Sequence, residues 1–332
     1  MLELRIYIFI ISWIFMAYIA YLLLSIDLII ALIFLALLSV NITYTILTYF
    51  RSIWWPYHEW IDTSLVDIKQ VKIPSSTEGA YLEGLIIRDK SQDPDEKQPG
   101  ILLSHGYTGH KEKTFKYGIP LALNGFTILC MDLRGHGEST DKKFDMNDVV
   151  GIMADVKKEI DFLEQIENVD SQKLMMIGHS MGALATLSEG YKDHRLKMII
   201  AISGVYNLLE HFNKHKNFLL KAIKYQITKG LEGPLEEWNK KISPQFFLGN
   251  DSPNNIPDEQ RVYLIHSKKD DLLNVEGTYN IKRALKKKKK NVLLVDAPEK
   301  KYINSGHELV GQAPIIVDFL IKTANKLKTF KK

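Results

Sequence analysis

The segment from Lys173 to Gly182 constrains the fold more than any other part of the chain. Its sequence is KLMMIGHSMG, in which a short apolar run leads to a serine with a glycine two residues away on either side. The next residues, ALATL, are typical of the start of a helix. A strand that turns directly into a helix strains the backbone at the turn and makes the side chain there project from the end of the sheet. A Cβ at either glycine would clash with the strand or the helix. The segment therefore predicts a strand–turn–helix with Ser180 at its apex.

The composition is that of an ordinary globular protein. Of the 332 residues, 46% are hydrophobic and 25% charged, which suits one large α/β domain with an appendage. Cys130 is the only cysteine, so no disulfide can form within the chain, and its apolar neighbours predict a buried, inert thiol. A net charge of +4 is too small to indicate nucleic-acid binding. Neither zinc-ligand spacing nor a phosphate-binding glycine loop occurs, and we expect no metal and no organic cofactor.

Residues 1–60 differ sharply from the rest of the chain. Two apolar runs, 4–24 and 28–50, are separated only by Ser25-Ile26-Asp27, and each has about the length that spans a hydrocarbon core as a helix. They predict a transmembrane hairpin with a tight turn at Asp27. A cleaved signal peptide fits poorly because no small-residue cleavage site precedes the second run. A buried helical hairpin in a soluble protein is a further alternative, but polar positions at helical spacing are missing.

The positive charges predict the orientation of this hairpin. Arg5 and Arg51 flank the same side, while the turn carries only Asp27. The positive-inside rule then predicts a two-helix, multi-pass membrane protein with both termini and the downstream domain in the cytoplasm. Aromatic residues follow the second run at once and fit either an interfacial belt or a packed aromatic cluster on the globular domain: Trp54, Trp55, Tyr57 and Trp60.

From residue 61 onward, strand and helix patterns alternate. Residues 66–73 and 80–87 alternate apolar and polar side chains, which predicts two half-exposed strands. Continuous apolar runs predict six strands buried on both faces, at 101–103, 127–131, 174–177, 198–202, 262–265 and 292–295. Helical stretches lie between them, notably 149–166, 183–191 and 278–286. This order predicts an α/β domain at 61–332 with a mostly parallel, eight-stranded sheet and helices on both faces.

Five segments of this domain resemble those of one superfamily, in the same order. SHGYTG at 104–109 follows the third strand, DLRGHGES at 132–139 the fourth, and the Ser180 turn the fifth; HSKKD at 266–270 follows the seventh, and SGH at 305–307 the eighth. They resemble the oxyanion loop, the Asp-x-Arg-Gly-x-Gly-x-Ser segment, the nucleophile elbow, the acid loop and the final Gly-His of α/β-hydrolases. The domain thus resembles a serine hydrolase of the monoglyceride lipase and esterase type.

The resemblance implies a catalytic triad in the chain order Ser180, Asp270, His307. Ser180 needs a base within hydrogen-bond reach, and His307 would take its proton and later give it to the leaving group. Asp270 would orient His307 and stabilise its charged form. The neighbouring Asp271 competes for this role. The spacing favours Asp270, because two residues separate it from Leu273-Asn274, which stands where the family usually has Val-Pro and departs from that pattern.

The resemblance also implies two donors for the oxyanion of an acyl-transfer reaction. These are the backbone N–H groups of Tyr107, which follows His-Gly, and of Met181, which follows the nucleophile. Met181 would gain further from the helix that begins there. We interpret Asp132 and Arg134 as anchors of the loop that contains them.

Residues 205–257 form an insertion between the sixth and seventh strands, where this family commonly carries a cap. Its apolar residues recur at helical spacing with lysines between them. Such a helix either covers a pocket with its apolar face or lies on an anionic membrane surface, and one lid can do both. The lysine run at 286–290 allows a similar pair of interpretations, a solvated helix end or a membrane contact.

We therefore predict a membrane-anchored serine hydrolase that cleaves carboxylic esters, of the acylglycerol or lysophospholipid type, through an acyl-enzyme intermediate. The lipid substrate is inferred from location, since only about fifteen residues separate the second apolar run from the first strand and keep the site close to the bilayer. The alternatives are a thioesterase, an amidase or a proline-iminopeptidase-like peptidase of the same fold. A non-catalytic binding protein that retains the fold is a further alternative, although all three triad candidates are present.

Overall fold

The computed structural model describes residues 2–24, 27–54, 62–93, 95–214, 218–229, 233–248, 260–270, 272–287, 292–296, 306–307 and 313–330. The chain divides into two compact units, Met1–Trp60 and Ile61–Lys332. Four of the sequence predictions fall on residues outside the described ones. They are those for Asp271, for the aromatic residues after Trp54, for residues 215–217, 230–232 and 249–257 of the insertion, and for most of the lysine run.

The first unit consists of two helices, α1 (Leu2–Leu24) and α2 (Leu28–Trp54), which pack against each other. Asp27 caps the N-terminus of α2. Its carboxylate accepts hydrogen bonds from the backbone N–H of Ile29 at 2.8 Å and of Ile30 at 3.2 Å. These bonds satisfy two otherwise unpaired donors of the helix end. Between the helices, Trp13 Nε1 donates to Asn41 Oδ1 at 2.6 Å. Residues 28–46 are long and apolar enough to cross a membrane, and 11–23 form a shorter apolar stretch.

The second unit is built on one sheet of eight strands. These are β1 (Val66–Pro74), β2 (Tyr81–Asp89), β3 (Gln98–Ser104), β4 (Thr127–Met131), β5 (Val169–His179), β6 (Leu196–Ile202), β7 (Arg261–His266) and β8 (Val292–Asp296). Their order across the sheet is β1-β2-β4-β3-β5-β6-β7-β8. β2 runs antiparallel to β1 and β4, and all the other neighbours are parallel. The predicted mostly parallel, eight-stranded sheet is confirmed.

Helices cover both faces of this sheet, as predicted. They are α3 (Phe115–Ala122), α4 (Val149–Gln165), α5 (Met181–Ala185), α10 (Val275–Lys287) and α11 (Ala313–Lys328). The side chains of β3 alternate between two apolar clusters: Leu102 belongs with Val156 of α4, and Leu103 with Leu121 of α3 and Leu320 of α11. Because both faces of the strand are buried, its residues are continuously apolar.

The helix after Ser180 differs in part from the prediction of a regular helix at 183–191. It begins earlier, at Met181, and changes after α5 into a π-helical turn at Thr186–Gly190. Thr186 Oγ1 donates to the carbonyl of Gly182 at 2.8 Å. Widened turns of this kind are common near functional sites.

The described part of the insertion between β6 and β7 contains four helices: α6 (Leu208–Lys214), α7 (Phe218–Thr228), α8 (Leu235–Ile242) and α9 (Gln245–Leu248). Leu220 and Ile227 of α7 are buried in the apolar cluster of the domain, while Lys221 and Tyr225 face solvent. The apolar side of α7 therefore packs on the protein, as expected of a cap helix. Lys221 is the exposed lysine among the described side chains of α7, and the predicted membrane contact stays a prediction.

Candidate active site

Ser180 lies at the turn between β5 and α5. Its backbone has φ 56° and ψ −113°, a strained conformation for a residue other than glycine. A Cβ on Gly178 would lie 2.1 Å from the carbonyl oxygen of Gly182, and one on Gly182 would lie 2.3 Å from that of Ser104. Both positions therefore admit only glycine, for the steric reason that the sequence suggested. The tight turn exposes the Ser180 hydroxyl at the carboxyl end of the sheet.

The structure brings the three predicted triad residues together. His307 Nε2 lies 2.8 Å from Ser180 Oγ, and His307 Nδ1 lies 2.9 Å from Asp270 Oδ2. A neutral imidazole that donates its Nδ1–H to the carboxylate presents an unprotonated Nε2 to the serine hydroxyl. The geometry therefore suits removal of the hydroxyl proton by His307.

Asp270 is the carboxylate that contacts His307, and its side chain is fully buried. Its Oδ1 accepts hydrogen bonds from the backbone N–H of Leu272 at 3.0 Å and of Leu273 at 2.7 Å. Burial alone would raise the pKa of Asp270, but hydrogen bonds from His266 and His307 outweigh it and hold that pKa well below its usual range. Asp270 is therefore ionised at neutral pH.

Two further histidines support the site, and sequence reasoning assigned neither of them to it. His179 Nε2 donates to the backbone carbonyl of His307 at 3.0 Å and so holds the segment that carries the base. His266 Nε2 lies 3.2 Å from Asp270 Oδ2 and 2.8 Å from the carbonyl of Leu273. The only signal in the sequence was position: His179 precedes the serine, and His266 stands four residues before the acid.

The predicted oxyanion loop lies directly beside the serine. A Cβ on Gly106 would come within 3.1 Å of Ser180 Cβ, and the N–H of Gly182 donates to the carbonyl of His105 at 3.0 Å. The carbonyl of Gly106 accepts from the N–H of Gly109 at 2.9 Å and from His105 Nδ1 at 2.7 Å. Because C=O and N–H point to opposite sides of a trans peptide, these bonds fix the direction of the Tyr107 N–H.

The tautomer of His105 follows from its second contact. His105 Nε2 accepts a hydrogen bond from the backbone N–H of Leu133 at 3.1 Å, so Nδ1 carries the proton that reaches the Gly106 carbonyl. Complete burial lowers the pKa of His105 to about 3, which keeps the ring neutral. Met181, the other predicted donor, is the first residue of α5, where a backbone N–H has no partner within the helix.

Asp132 and Arg134 anchor loops, in agreement with their interpretation from sequence. The buried Asp132 carboxylate accepts from the backbone N–H and the Nζ of Lys111, at 2.6 Å and 2.7 Å. Arg134 Nε donates to Asp155 at 2.8 Å and its Nη1 to Asp148 at 2.7 Å, both in or next to α4. These contacts tie the loop after β4 to the oxyanion loop on one side and to α4 on the other.

No cluster of three or more potential metal ligands occurs among the residues that the structure describes. Cys130 is fully buried in β4, and burial raises the pKa of its thiol to about 12. The thiol is therefore protonated and shielded at neutral pH, which matches the inert role expected from its neighbours.

The strand order, the strained serine turn and the hydrogen-bonded Ser–His–Asp row are those of an α/β-hydrolase. Comparison with known proteins leads to the same class. Residues 95–245, just under half of the chain, match the family described as serine aminopeptidase, S33. The fold is that of an α/β-hydrolase, and the family match supports a serine hydrolase of this fold.

Solved structures share the fold at low sequence identity. Est1E from Butyrivibrio proteoclasticus, solved with ferulic acid, has a TM-score of 0.59 at 17% identity, over 78% of this chain and 100% of that chain. The acylaminoacyl peptidase of Pyrococcus horikoshii has a TM-score of 0.61 at 20% identity, over 83% of this chain and 44% of that chain. At these identities the likeness concerns the fold alone.

A curated relative, the uncharacterized protein YcjY of Escherichia coli (strain K12), is 30% identical over 114 residues. The match covers 34% of this chain and 37% of that protein. The chain thus spans little more than a third of the length of this relative.

Proposed function

We propose that this protein is a membrane-anchored serine hydrolase that cleaves carboxylic esters of the acylglycerol or lysophospholipid type. The observation that carries the proposal is the continuous row of hydrogen bonds from Ser180 Oγ through His307 to the buried Asp270. A serine alone is a weak nucleophile, and a base that is itself oriented by a carboxylate is what activates it.

The proposed reaction proceeds in two halves. Ser180 Oγ attacks the ester carbonyl carbon while His307 Nε2 takes the hydroxyl proton. The tetrahedral oxyanion accepts hydrogen bonds from the N–H groups of Met181 and Tyr107. Collapse breaks the bond to the alcohol, which leaves with the proton from His307, and the acyl group stays on Ser180. Water then attacks the acyl-enzyme, gives its proton to His307, and releases the acid as the serine regains its hydrogen.

The membrane part of the proposal rests on the first 60 residues. Residues 28–46 have the length and composition of a membrane span, and large apolar side chains on both helices are exposed, among them Ile14, Tyr21, Ile29 and Val40. Such a surface is stable in lipid and costly in water. The proposal keeps the two-helix topology with the hydrolase domain in the cytoplasm, on the basis of Arg5 and Arg51. A lipid surface beside the site would supply ester substrates.

The chemistry is tested by replacing the nucleophile. Ser180→Ala should reduce hydrolysis of p-nitrophenyl acyl esters by at least about a thousandfold, because the acyl-enzyme can no longer form. Ser91→Ala, at an exposed position in the turn after β2, is the matched control and should retain full activity. A series from acetyl to palmitoyl esters, measured with the wild-type protein and with the Ser91→Ala control, reports the preferred chain length. Hydrolysis that survives in Ser180→Ala would refute the mechanism.

A peptidase is the second candidate. The match to the serine aminopeptidase family and the fold shared with an acylaminoacyl peptidase favour it, and the same row of side chains serves amide cleavage. The values of kcat/KM for acyl p-nitrophenyl esters and for aminoacyl p-nitroanilides, measured on one preparation, separate the two. A clear preference for the anilides would replace the esterase proposal with a peptidase.

A further inference from the structure

His266 is a second imidazole that lies beside Asp270, in addition to the proposed base. It is the last residue of β7 and is fully buried. Its Nε2 lies 3.2 Å from Asp270 Oδ2, the same oxygen that His307 Nδ1 approaches to 2.9 Å. One carboxylate oxygen is therefore shared between two imidazole rings.

The protonation of His266 follows from its partners. At Nε2 it meets only acceptors, Asp270 Oδ2 and the carbonyl of Leu273 at 2.8 Å, so this nitrogen must carry a hydrogen. At Nδ1 it meets the hydroxyl of Thr278 at 2.7 Å. The other acceptor for that hydroxyl, the carbonyl of Gly204, is more distant at 3.4 Å. The shorter contact favours donation of the hydroxyl hydrogen to Nδ1, which matches a hydrogen on Nε2.

We propose that His266 is a positioning residue for the acid of the triad: its Nε2–H, shared between Asp270 and the Leu273 carbonyl, fixes the carboxylate in the orientation that His307 requires. The proposal rests on the proposed function, because it assigns a role within that reaction. His266 acts through Asp270 and does not touch the serine.

The surroundings of Asp270 show why a second ring is useful there. The buried carboxylate receives hydrogens from His307, His266 and the backbone N–H groups of Leu272 and Leu273. All four partners donate, and only an ionised carboxylate accepts from all four. Loss of one donor leaves a buried charge less well compensated and free to rotate away from His307.

Other titratable groups flank this arrangement. His211 Nε2 donates to the carbonyl of Leu272 at 3.0 Å, and His179 donates to the carbonyl of His307. Both contact backbone on either side of the triad and not the Asp270 carboxylate. Among the described side chains, His266 and His307 are the two that contact Asp270 Oδ2 directly.

Two substitutions at the same position separate donation from packing. His266→Phe keeps the ring and removes the donor, whereas His266→Gln places an amide N–H near the position of Nε2. His266→Phe should lower kcat/KM by about tenfold, the factor for one hydrogen bond of average strength, with KM little changed. The acid limb of its pH profile should move to higher pH, because a carboxylate with one donor fewer attracts the hydrogen of His307 more strongly. His266→Gln should recover most of both properties.

Fluorophosphonate incorporation counts the competent sites, so that rates are compared per folded molecule. If His266→Phe yields no folded protein, Thr278→Val replaces it, since loss of that hydroxyl frees the tautomer and should shift the acid limb in the same direction. An unmoved acid limb with unchanged kcat/KM per site in the Phe variant, or a Gln variant as impaired as the Phe variant, would overturn the proposal. Wild-type protein without Ser180-dependent turnover would instead refute the proposed function itself.

Discussion

Glu159 is a buried carboxylate without a compensating charge. It lies in α4, is fully buried, and neither of its oxygens has a hydrogen-bond partner in the described part of the chain. Burial, reinforced by nearby Asp155, raises the pKa of Glu159 from its ordinary value of 4.5 to about 8. Between these two pH values the folded protein holds a proton that the unfolded chain has lost. The contribution of Glu159 to the free energy of unfolding is therefore fully present below pH 4.5 and is lost as pH rises to about 8.

Glu159→Gln should remove this pH dependence. A neutral amide loses no proton, so the variant should be more stable than wild type at pH 9, by on the order of 1–3 kcal/mol, with a much smaller difference at pH 5. Thermal unfolding at both pH values measures the effect. Glu167→Gln, at an exposed position just after α4, is the matched control and should not change the pH dependence. A Glu159→Gln variant that follows the wild-type pH dependence would contradict the assignment.

For single residues, the sequence predicted those side chains whose positions depend on neighbouring residues in the chain. Ser180 was predicted because the two glycines and the strand–helix junction lie next to it in the sequence. His179 and His266 were not assigned, because their roles depend on contacts formed only in the folded chain, His179 with a carbonyl 128 residues away. The chain has ten histidines; the final Gly-His segment indicated that His307 meets Asp270, but no local pattern indicated that His266 does so as well.

At the scale of elements, apolar runs located the strands but underestimated their ends. The run at 174–177 predicted a strand that extends from Val169 to His179. Its first two residues lie beside the start of β3, where Gln98 pairs with Val169 and Pro99 with Asp170 before the register shifts. Hydrogen bonding to a neighbouring strand, which no apolar pattern records, extends the element. The π-helical turn at Thr186–Gly190 was missed as well.

The hairpin of α1 and α2 carries its own prediction. A chain that begins at Ile61 should hydrolyse soluble short-chain esters at the full-length rate, because residues 61–332 form a compact unit that holds the whole Ser–His–Asp row. It should no longer float with lipid vesicles in a density gradient, and it should lose activity toward esters embedded in them, since the apolar helices supply the anchor. Both forms are compared at equal numbers of fluorophosphonate-labelled sites.

Two results would contradict this account of the hairpin. A full-length chain that stays out of the floating fraction would show that the apolar helices serve another purpose. A truncated chain that still floats would assign membrane binding to the hydrolase domain, for which the exposed basic side of α7 is a candidate.

At the scale of the whole molecule, the alternation of strands and helices predicted an α/β sheet, and five motifs in order predicted the superfamily. Periodicity alone does not predict that β3 lies between β4 and β5, because that arrangement depends on long-range packing. The substrate class is the property that the sequence predicts least. The triad performs the same chemistry on esters, thioesters and amides, and the group that is cleaved depends on how the cap and the loops shape the pocket.

We propose that Ser180, activated by His307 and Asp270, is the nucleophile of a hydrolase. The most direct measurement is intact-mass spectrometry of the protein after reaction with a fluorophosphonate, together with peptide mapping and residual ester turnover. We predict one adduct per chain, located on Ser180, with turnover lost in proportion to labelling and no adduct in Ser180→Ala. An adduct on another residue, or turnover that persists in fully labelled protein, would contradict the account.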